Sequence, residues 1–323
     1  MGLNFLFFSV FAAAVLIALL VDHYLGEPPA RWHPVVWMGN YLNAVAPPVV
    51  PASSVPSNSC QLKAFILGAA YWWAGVAVIF IATVLLQWAI LQLPWALAAL
   101  LMGLVLKPLL AWAMLRREVQ AVENALTESL EAGRKRLSWL VSRDTASLSE
   151  SEVRESVIES LAENLNDSVL APIFWFVLFG LPGAAVYRFA NTADAMWGYK
   201  SVRGGVNWEW TGKWAARADD VLSWLPARLT ALLLVLVAGG LNVKVLMREA
   251  RKTPSPNSGW PMAAMALALK VSLRKPGVYV LNCGGRQPKA SETVLAQKYA
   301  LKVVVAACLS AQAAIITIAL MSL

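Results

Sequence analysis

The chain has 323 residues, 59% of them hydrophobic and only 14% charged, a composition too apolar for a soluble domain of that length and diagnostic of a membrane protein. Its formal net charge of +8 matches the basic loops that orient membrane spans, so nucleic acid is excluded as the partner. Three cysteines, Cys60, Cys283 and Cys308, have neither paired nor metal-type spacing, which leaves no disulfide framework and no zinc site.

Leu3 to Val21 is an uncharged apolar run long enough to cross hydrocarbon and longer than a signal-peptide core, so it reads as a retained first helix. The stretch after it, DHYLGEPPARWHPVVWMGNYLN, holds Pro28, Pro29, Pro34, Gly26 and Gly39 and reads as an interfacial loop of turns, with Asp22, Glu27, Arg31 and His33 among Trp32 and Trp37. Pro47 to Ser59 is Pro/Ser-rich and reads as a mobile loop. Ala64 to Leu86 is a second span. Pro94 to Leu115 is a third, interrupted at Lys107-Pro108, where the lysine either snorkels to the interface, the default, or faces the bundle interior. Residues 116–167 form an extramembrane helical insertion with Val119, Val122, Leu126 and Leu130 at helical spacing. Gly133 is expected to stop one of its helices, and Ser149 with Glu152 forms a capping-box signature that opens the next.

That next helix carries the densest polar chemistry of the chain, ESLAENLNDSVLAP from Glu159 to Pro172. The 3.6-residue period puts Glu159, Glu163, Asn166 and Asp167 on one face. Three carboxylates looking the same way at a membrane edge call for a divalent metal or a basic ligand, or else for a fully solvated face. Val169 to Val186 holds Pro172, Gly180 and Pro182 and reads as a kinked or re-entrant span, a form tolerated where it lines a protein cavity. A second polar cluster follows, in which Asn191 with Asp194, and Arg217 with Asp220, share helix faces at i and i+3, with Asp219 and Arg228 close by in sequence. Leu225 to Leu241 is a further span, Met262 to Leu273 a short buried or interfacial helix, and Val303 to Leu323 the last span.

These readings make the chain all-α: one membrane domain over residues 1–323, a polytopic helical bundle of about 5–6 apolar spans with one re-entrant candidate, an amphipathic insertion and long polar loops. Loops 22–63, 116–167 and 242–301 carry 2, 7 and 10 Lys/Arg against 5 in 188–223. The positive-inside rule therefore predicts that the basic 242–301 region and its companions face the cytoplasm of a multi-pass cell-membrane protein.

Seven strings in this order resemble one family, the integral-membrane adenosylcobinamide-phosphate synthases of cobalamin biosynthesis (CbiB/CobD family). They are an Asp after the first span with GEPP and HPVVWMG, then SRDT, ESLAENLNDSVLAP, YRFANTADAMWGY, ARADDVLSWLPARLT, SPNSGWP and GGRQP. The Pro-rich loop and Lys275 to Cys283 fit the family pattern less well. The resemblance implies ATP-dependent amide formation between adenosylcobyric acid and an amino-alcohol phosphate such as aminopropanol phosphate. A carboxylate needs activation before an amine can attack it, and phosphoryl transfer from ATP is the simplest route, with Mg²⁺ and cationic side chains neutralising the phosphates. No GxxxxGK[ST] string is present, so a P-loop is excluded.

On that scheme Glu159, Glu163, Asp167, Asp219 and Asp220 hold the metal, and Asn164 and Asn191 are neutral hydrogen-bonders. Arg143, Arg217, Arg228 and Asn257 bind the nucleotide or phosphate, because guanidinium forks match phosphate oxygens. Asp22, His33, Asp144 and Asp194 orient the amine or accept its proton. The simplest reading of Arg143-Asp144 on its own is a turn with a local ion pair. The expected partners are the two substrates, membrane lipid, and other cobalamin-assembly enzymes or further copies of the chain. Two other readings fit the same residues: a membrane prenyltransferase, although neither Asn164-x-x-Asp167 nor Asp219-Asp220 completes a DxxxD, and a transporter built on broken helices.

Overall fold

The computed structural model describes residues 2–46, 58–200, 202–203 and 206–321; most of the segment read as a mobile Pro/Ser-rich loop lies outside them. In chain order the helices begin with α1 (Gly2–Leu25), α2 (Pro34–Val45), α3 (Asn58–Leu91), α4 (Trp95–Leu106), α5 (Trp112–Glu128), α6 (Leu130–Leu137), α7 (Glu150–Leu165) and α8 (Ala171–Trp197). After the two-residue strands β1 (Val202–Arg203) and β2 (Val206–Asn207) come α9 (Lys213–Leu222), α10 (Trp224–Val237), α11 (Val243–Ala250) and α12 (Gly259–Leu269). A hairpin of β3 (Leu273–Lys275) and β4 (Tyr279–Leu281) precedes α13 (Ala290–Met321).

Five helical segments among the described residues are long and apolar enough to cross a membrane: Phe8–Leu25, Cys60–Leu91, Trp95–Glu128, Glu150–Trp197 and Ala290–Met321. Consecutive α9 and α10 add a sixth if the pair is a single bent span. The protein is thus a helical, polytopic membrane protein. The chain groups into two compact units, residues 1–110, 171–222 and 311–323 in the first, and 111–170 and 223–310 in the second.

In the first unit α1 packs on α4 through small residues. Ala14 and Ala18 are fully buried, and a Cβ on Gly103 would meet Ile17 at 2.7 Å, the close approach that drives helix association in lipid. The re-entrant candidate is realised as a sharp break. Gly180 has φ 67° and ψ −152° inside α8, a region that side-chain-bearing residues avoid. A Cβ on Gly183 would fall 2.4 Å from the Trp175 carbonyl oxygen, eight residues back, whereas a straight helix separates such residues by about 12 Å. The chain therefore folds back on itself there. The Gln87 side-chain oxygen accepts from Leu181 N–H at 2.8 Å, which satisfies a backbone donor freed at the break.

In the second unit α5 buries Val119 and Val122 and α7 buries Val153, Val157, Ile158 and Leu161, while most of α12 is buried. Ser149 and Glu152 form the capping box that opens α7. Gly133 does not stop a helix. It lies inside α6, and the break falls at Ser129, whose hydroxyl accepts from Ala132 N–H and caps α6. The all-α pattern also gives way at β3 and β4. Pro276 and Gly277, the latter at φ 70°, supply the fixed φ and the positive φ of a type II turn, closed by Val278 N–H to Lys275 O at 2.9 Å.

Candidate functional site

In the second unit, α7 carries an acidic stripe at four-residue spacing, Glu155, Glu159 and Glu163. The stripe is not a solvated face, since Glu155 is fully buried and Glu159 is 5% exposed. Buried carboxylates demand partners, and the protein provides its own. Arg143, from the loop before α7, donates through Nη2 to Glu159 Oε2 at 3.0 Å and to Ser156 Oγ at 2.5 Å. Arg274 of β3 grips Glu155 with Nε at 3.1 and 3.2 Å and Nη2 at 2.8 Å. Deeper in the unit Arg154 holds Glu123 of α5 at 2.7 Å.

β4 brings Tyr279 to the same face. Burial first, and then the charge of Glu159 beside it, push the tyrosine hydroxyl well above its ordinary pKa, so it remains a neutral donor. The Arg143 pair is incompletely satisfied: Arg143 Nε and Nη1 and Glu159 Oε1 are buried and make no hydrogen bond. Two donor groups and one acceptor are therefore left over in a low-dielectric pocket of charge, which is what a site for a polar ligand requires.

At the C-terminal end of α7, residues Asn166–Leu170 form a π turn, a widened turn often found at functional sites. Thr230 of α10 donates to Asn166 Oδ1 at 3.0 Å, and Asn166 donates to Asp167 Oδ1 at 2.7 Å. Asn164 donates back to Ser160 O at 2.9 Å. The expected ion pair of Arg143 with Asp144 is not formed. Asp144 is exposed and accepts from Ala146 N–H at 2.9 Å, an Asx turn that shapes the loop. Arg228 lies between Trp224 and Trp260, 4.3 and 4.9 Å from their ring centres. It donates to Asn257 Oδ1 at 2.9 Å and to the Trp224 carbonyl at 2.6 Å, so these two nucleotide-binding candidates are joined to each other as a clamp between α10 and the SPNSGWP loop.

In the first unit Asn191 of α8 accepts from Arg188 at 3.2 Å and donates to Asp219 of α9 at 3.4 Å. Asp194 sits beside Gly198, where an added Cβ would meet its carboxylate. Asp220 is half-buried and Arg217 exposed. A third cluster closes the end of α1. Lys107 does not snorkel: it is 3% exposed, with Nζ 2.7 Å from Glu27 Oε2 and 3.4 Å from the fully buried Asp22. His33 Nδ1 accepts from Val35 N–H and caps α2, and Nε2 faces Glu27 at 3.1 Å, an arrangement that places the ring proton on Nε2. Burial pushes the Glu27 carboxyl up, but the hydrogen bonds and charges of His33 and Lys107 outweigh it and hold Glu27 below the usual range. A cavity of about 570 Å³ in this unit, lined by Trp37, Tyr41, Ile79, Leu104 and Pro108 among others, is apolar and suits hydrocarbon rather than charged reactants.

Among the described residues no three His, Cys, Asp or Glu side chains gather closely enough to hold a metal ion. Glu159 is already paired with Arg143.

A model of the CobD/Cbib protein family matches residues 15–308. The chain belongs to that family. It is 42% identical over 282 residues to a probable cobalamin biosynthesis protein CobD of Methanothermobacter thermautotrophicus, covering 84% of this chain and 88% of that protein. A probable CobD of Thermococcus kodakarensis is 42% identical over 274 residues, 85% of each chain. A cobalamin biosynthesis protein CobD of Chromobacterium violaceum is 42% identical over 260 residues, 80% of this chain and 79% of that one. No solved structure matches the chain. In this CobD/Cbib chain, the sequence reading leaves out of its site set Glu155, Arg274, Tyr279, Glu27 and Lys107. Glu155 was legible as the residue one turn before Glu159, and Glu27 lies within GEPP. Tyr279 was legible only through the Pro276-Gly277 turn that puts it on a hairpin.

Proposed function

We propose that the chain is a biosynthetic enzyme of the cobalamin route that joins the amine of an amino-alcohol phosphate to a carboxylate of adenosylcobyric acid at the expense of ATP. The observation that carries this reading is the family match over residues 15–308, within which the SRDT and ESLAENLNDSVLAP strings form the Arg143 and Glu159 pair. In the proposed sequence the ATP γ-phosphoryl group passes to the carboxylate oxygen and ADP leaves. The amine then attacks the carbonyl carbon, phosphate departs, and the proton lost from nitrogen goes to a carboxylate. Glu159 is the proton acceptor and Arg143 the counter-charge for phosphate oxygens. Arg274 and Glu155 position β3 and β4 against α7. Magnesium is proposed only as the companion of the nucleotide phosphates, since it dehydrates reluctantly and binds through few protein oxygens, and no step is assigned to it. The site is proposed to face the cytoplasm of the cell membrane, in keeping with the basic residues of 116–167 and 242–301.

Purified protein given adenosylcobyric acid, aminopropanol phosphate and ATP is expected to yield a product whose mass is the sum of the two substrates less one water. A lipid product made from a prenyl diphosphate, or uptake of the corrinoid into proteoliposomes unchanged, would replace this reading with a prenyltransferase or a transporter.

A further inference from the structure

The reaction has two organic substrates, and the leftover valences of the α7 site select one of them. Arg143 Nε and Nη1 lack acceptors, and Glu159 Oε1 lacks a donor, although all three atoms are buried. An anion alone would satisfy the arginine and repel the glutamate; a cation alone would do the reverse. A small molecule carrying both, with an ammonium and a phosphate on neighbouring carbons, satisfies each atom at once. We infer that the side-chain cluster of Arg143, Glu159 and Tyr279 binds the amino-alcohol phosphate, with phosphate oxygens on the spare Arg143 donors and the ammonium on Glu159.

Glu159 is 5% exposed and already accepts one arginine bond through Oε2, so Oε1 is oriented for a second cation. Tyr279, a donor kept neutral, lies within hydrogen-bonding reach of the Glu159 carboxylate and 3.8 Å from Met262 Sδ, and adds a third polar group to the cluster. The cluster borders the protein surface, since the Arg143 side chain keeps 18% of its surface exposed and Glu163, one turn along the same face of α7, is half-buried. Three separate segments converge there: the loop before α7, α7 itself and β4. The assignment rests on the amide-forming reading above and adds to it which substrate this site holds.

The test is equilibrium binding to the full chain in detergent, without nucleotide, using three probes: 1-amino-2-propanol phosphate, isopropyl phosphate, which lacks the amine, and 1-amino-2-propanol, which lacks the phosphate. The intact zwitterion is expected to bind at least about tenfold tighter than either half, the scale of a hydrogen bond to a charged group. In Glu159→Gln the zwitterion should bind no better than isopropyl phosphate, and in Arg143→Gln no better than 1-amino-2-propanol. Arg143→Lys, which keeps the charge, gives an intermediate value and guards against misfolding of the glutamine variant. Arg248→Gln on the exposed side of α11 should change nothing. Equal binding of zwitterion and isopropyl phosphate by the unmodified chain, or indifference to both substitutions, overturns the assignment. If condensed product still forms in that case, the reaction stands and the subsite falls. Discrimination among the probes without any condensed product would instead keep the subsite and sink the reaction.

Discussion

At the residue scale the second unit shows how an acidic stripe survives burial. Glu155 and Glu159 are each paired with an arginine from elsewhere in the chain, Arg274 and Arg143. Arg274 lies 119 positions from Glu155, so nothing local in either segment announces the pairing, whereas the density of acid on α7 was plain in the sequence. Breaking one partner of such a pair strands the other charge. Arg274→Ala should therefore destabilise the protein by about 2–3 kcal/mol, somewhat below the range for fully buried pairs because the arginine is partly exposed. Thermal unfolding in detergent reads this out. The Arg274→Gln, Glu155→Gln double variant should recover a good part of the loss, and a purely additive double variant would show that the pair is not coupled. Glu27 gives a pH signature. Its folded-state value is lowered by His33 and Lys107, so its contribution to stability is present above the ordinary glutamate range and disappears as pH falls through the lowered value. The stability gap between the native chain and Glu27→Gln should thus be constant near neutral pH and close in acid; a gap that widens on acidification would contradict the assignment.

At the element scale hydropathy made the spans legible, because a run of apolar residues in lipid has one cheap conformation. It could not decide what Val169 to Val186 does, since Pro182 and Gly180 suit a kink and a reversal equally well. The answer lies in a tertiary contact, Gln87 on α3 accepting from Leu181 N–H. Gly180→Ala should cost roughly 2–4 kcal/mol, combining the forbidden backbone region with a Cβ that would sit 2.2 Å from Gln87 Oε1. It should also expose the segment to proteolysis; an unchanged melting temperature would mean that the break is not needed. The β3 and β4 hairpin was missed for the opposite reason. Its turn chemistry was visible in Pro276-Gly277, but six paired residues are too few for an alternating pattern to stand out in an apolar helical background. With it went Tyr279, the residue of the site that an α-only reading has no way to place.

At the scale of the whole molecule, SRDT, ESLAENLNDSVLAP and SPNSGWP fall on polar clusters of the second unit, and the Asp22, GEPP and HPVVWMG string and YRFANTADAMWGY on polar clusters of the first. Orientation follows from charge and can be read with the native cysteines. Cys283 is exposed, Cys60 half-buried and Cys308 buried. A membrane-impermeant thiol reagent should label Cys283 in inside-out vesicles and spare it in right-side-out cells, and the reverse pattern would place the 242–301 region outside. The same membranes offer a test of assembly, since crosslinking of intact cells should capture either further copies or other enzymes of corrinoid assembly. The central claim, however, is chemical: a carboxylate activated by phosphoryl transfer and captured by an amine. Adenosylcobyric acid labelled with ¹⁸O in its reacting carboxyl group tests it most directly. The account predicts that each amide formed releases one inorganic phosphate carrying one ¹⁸O atom, together with ADP. Amide product with unlabelled phosphate, or label in AMP, would contradict it.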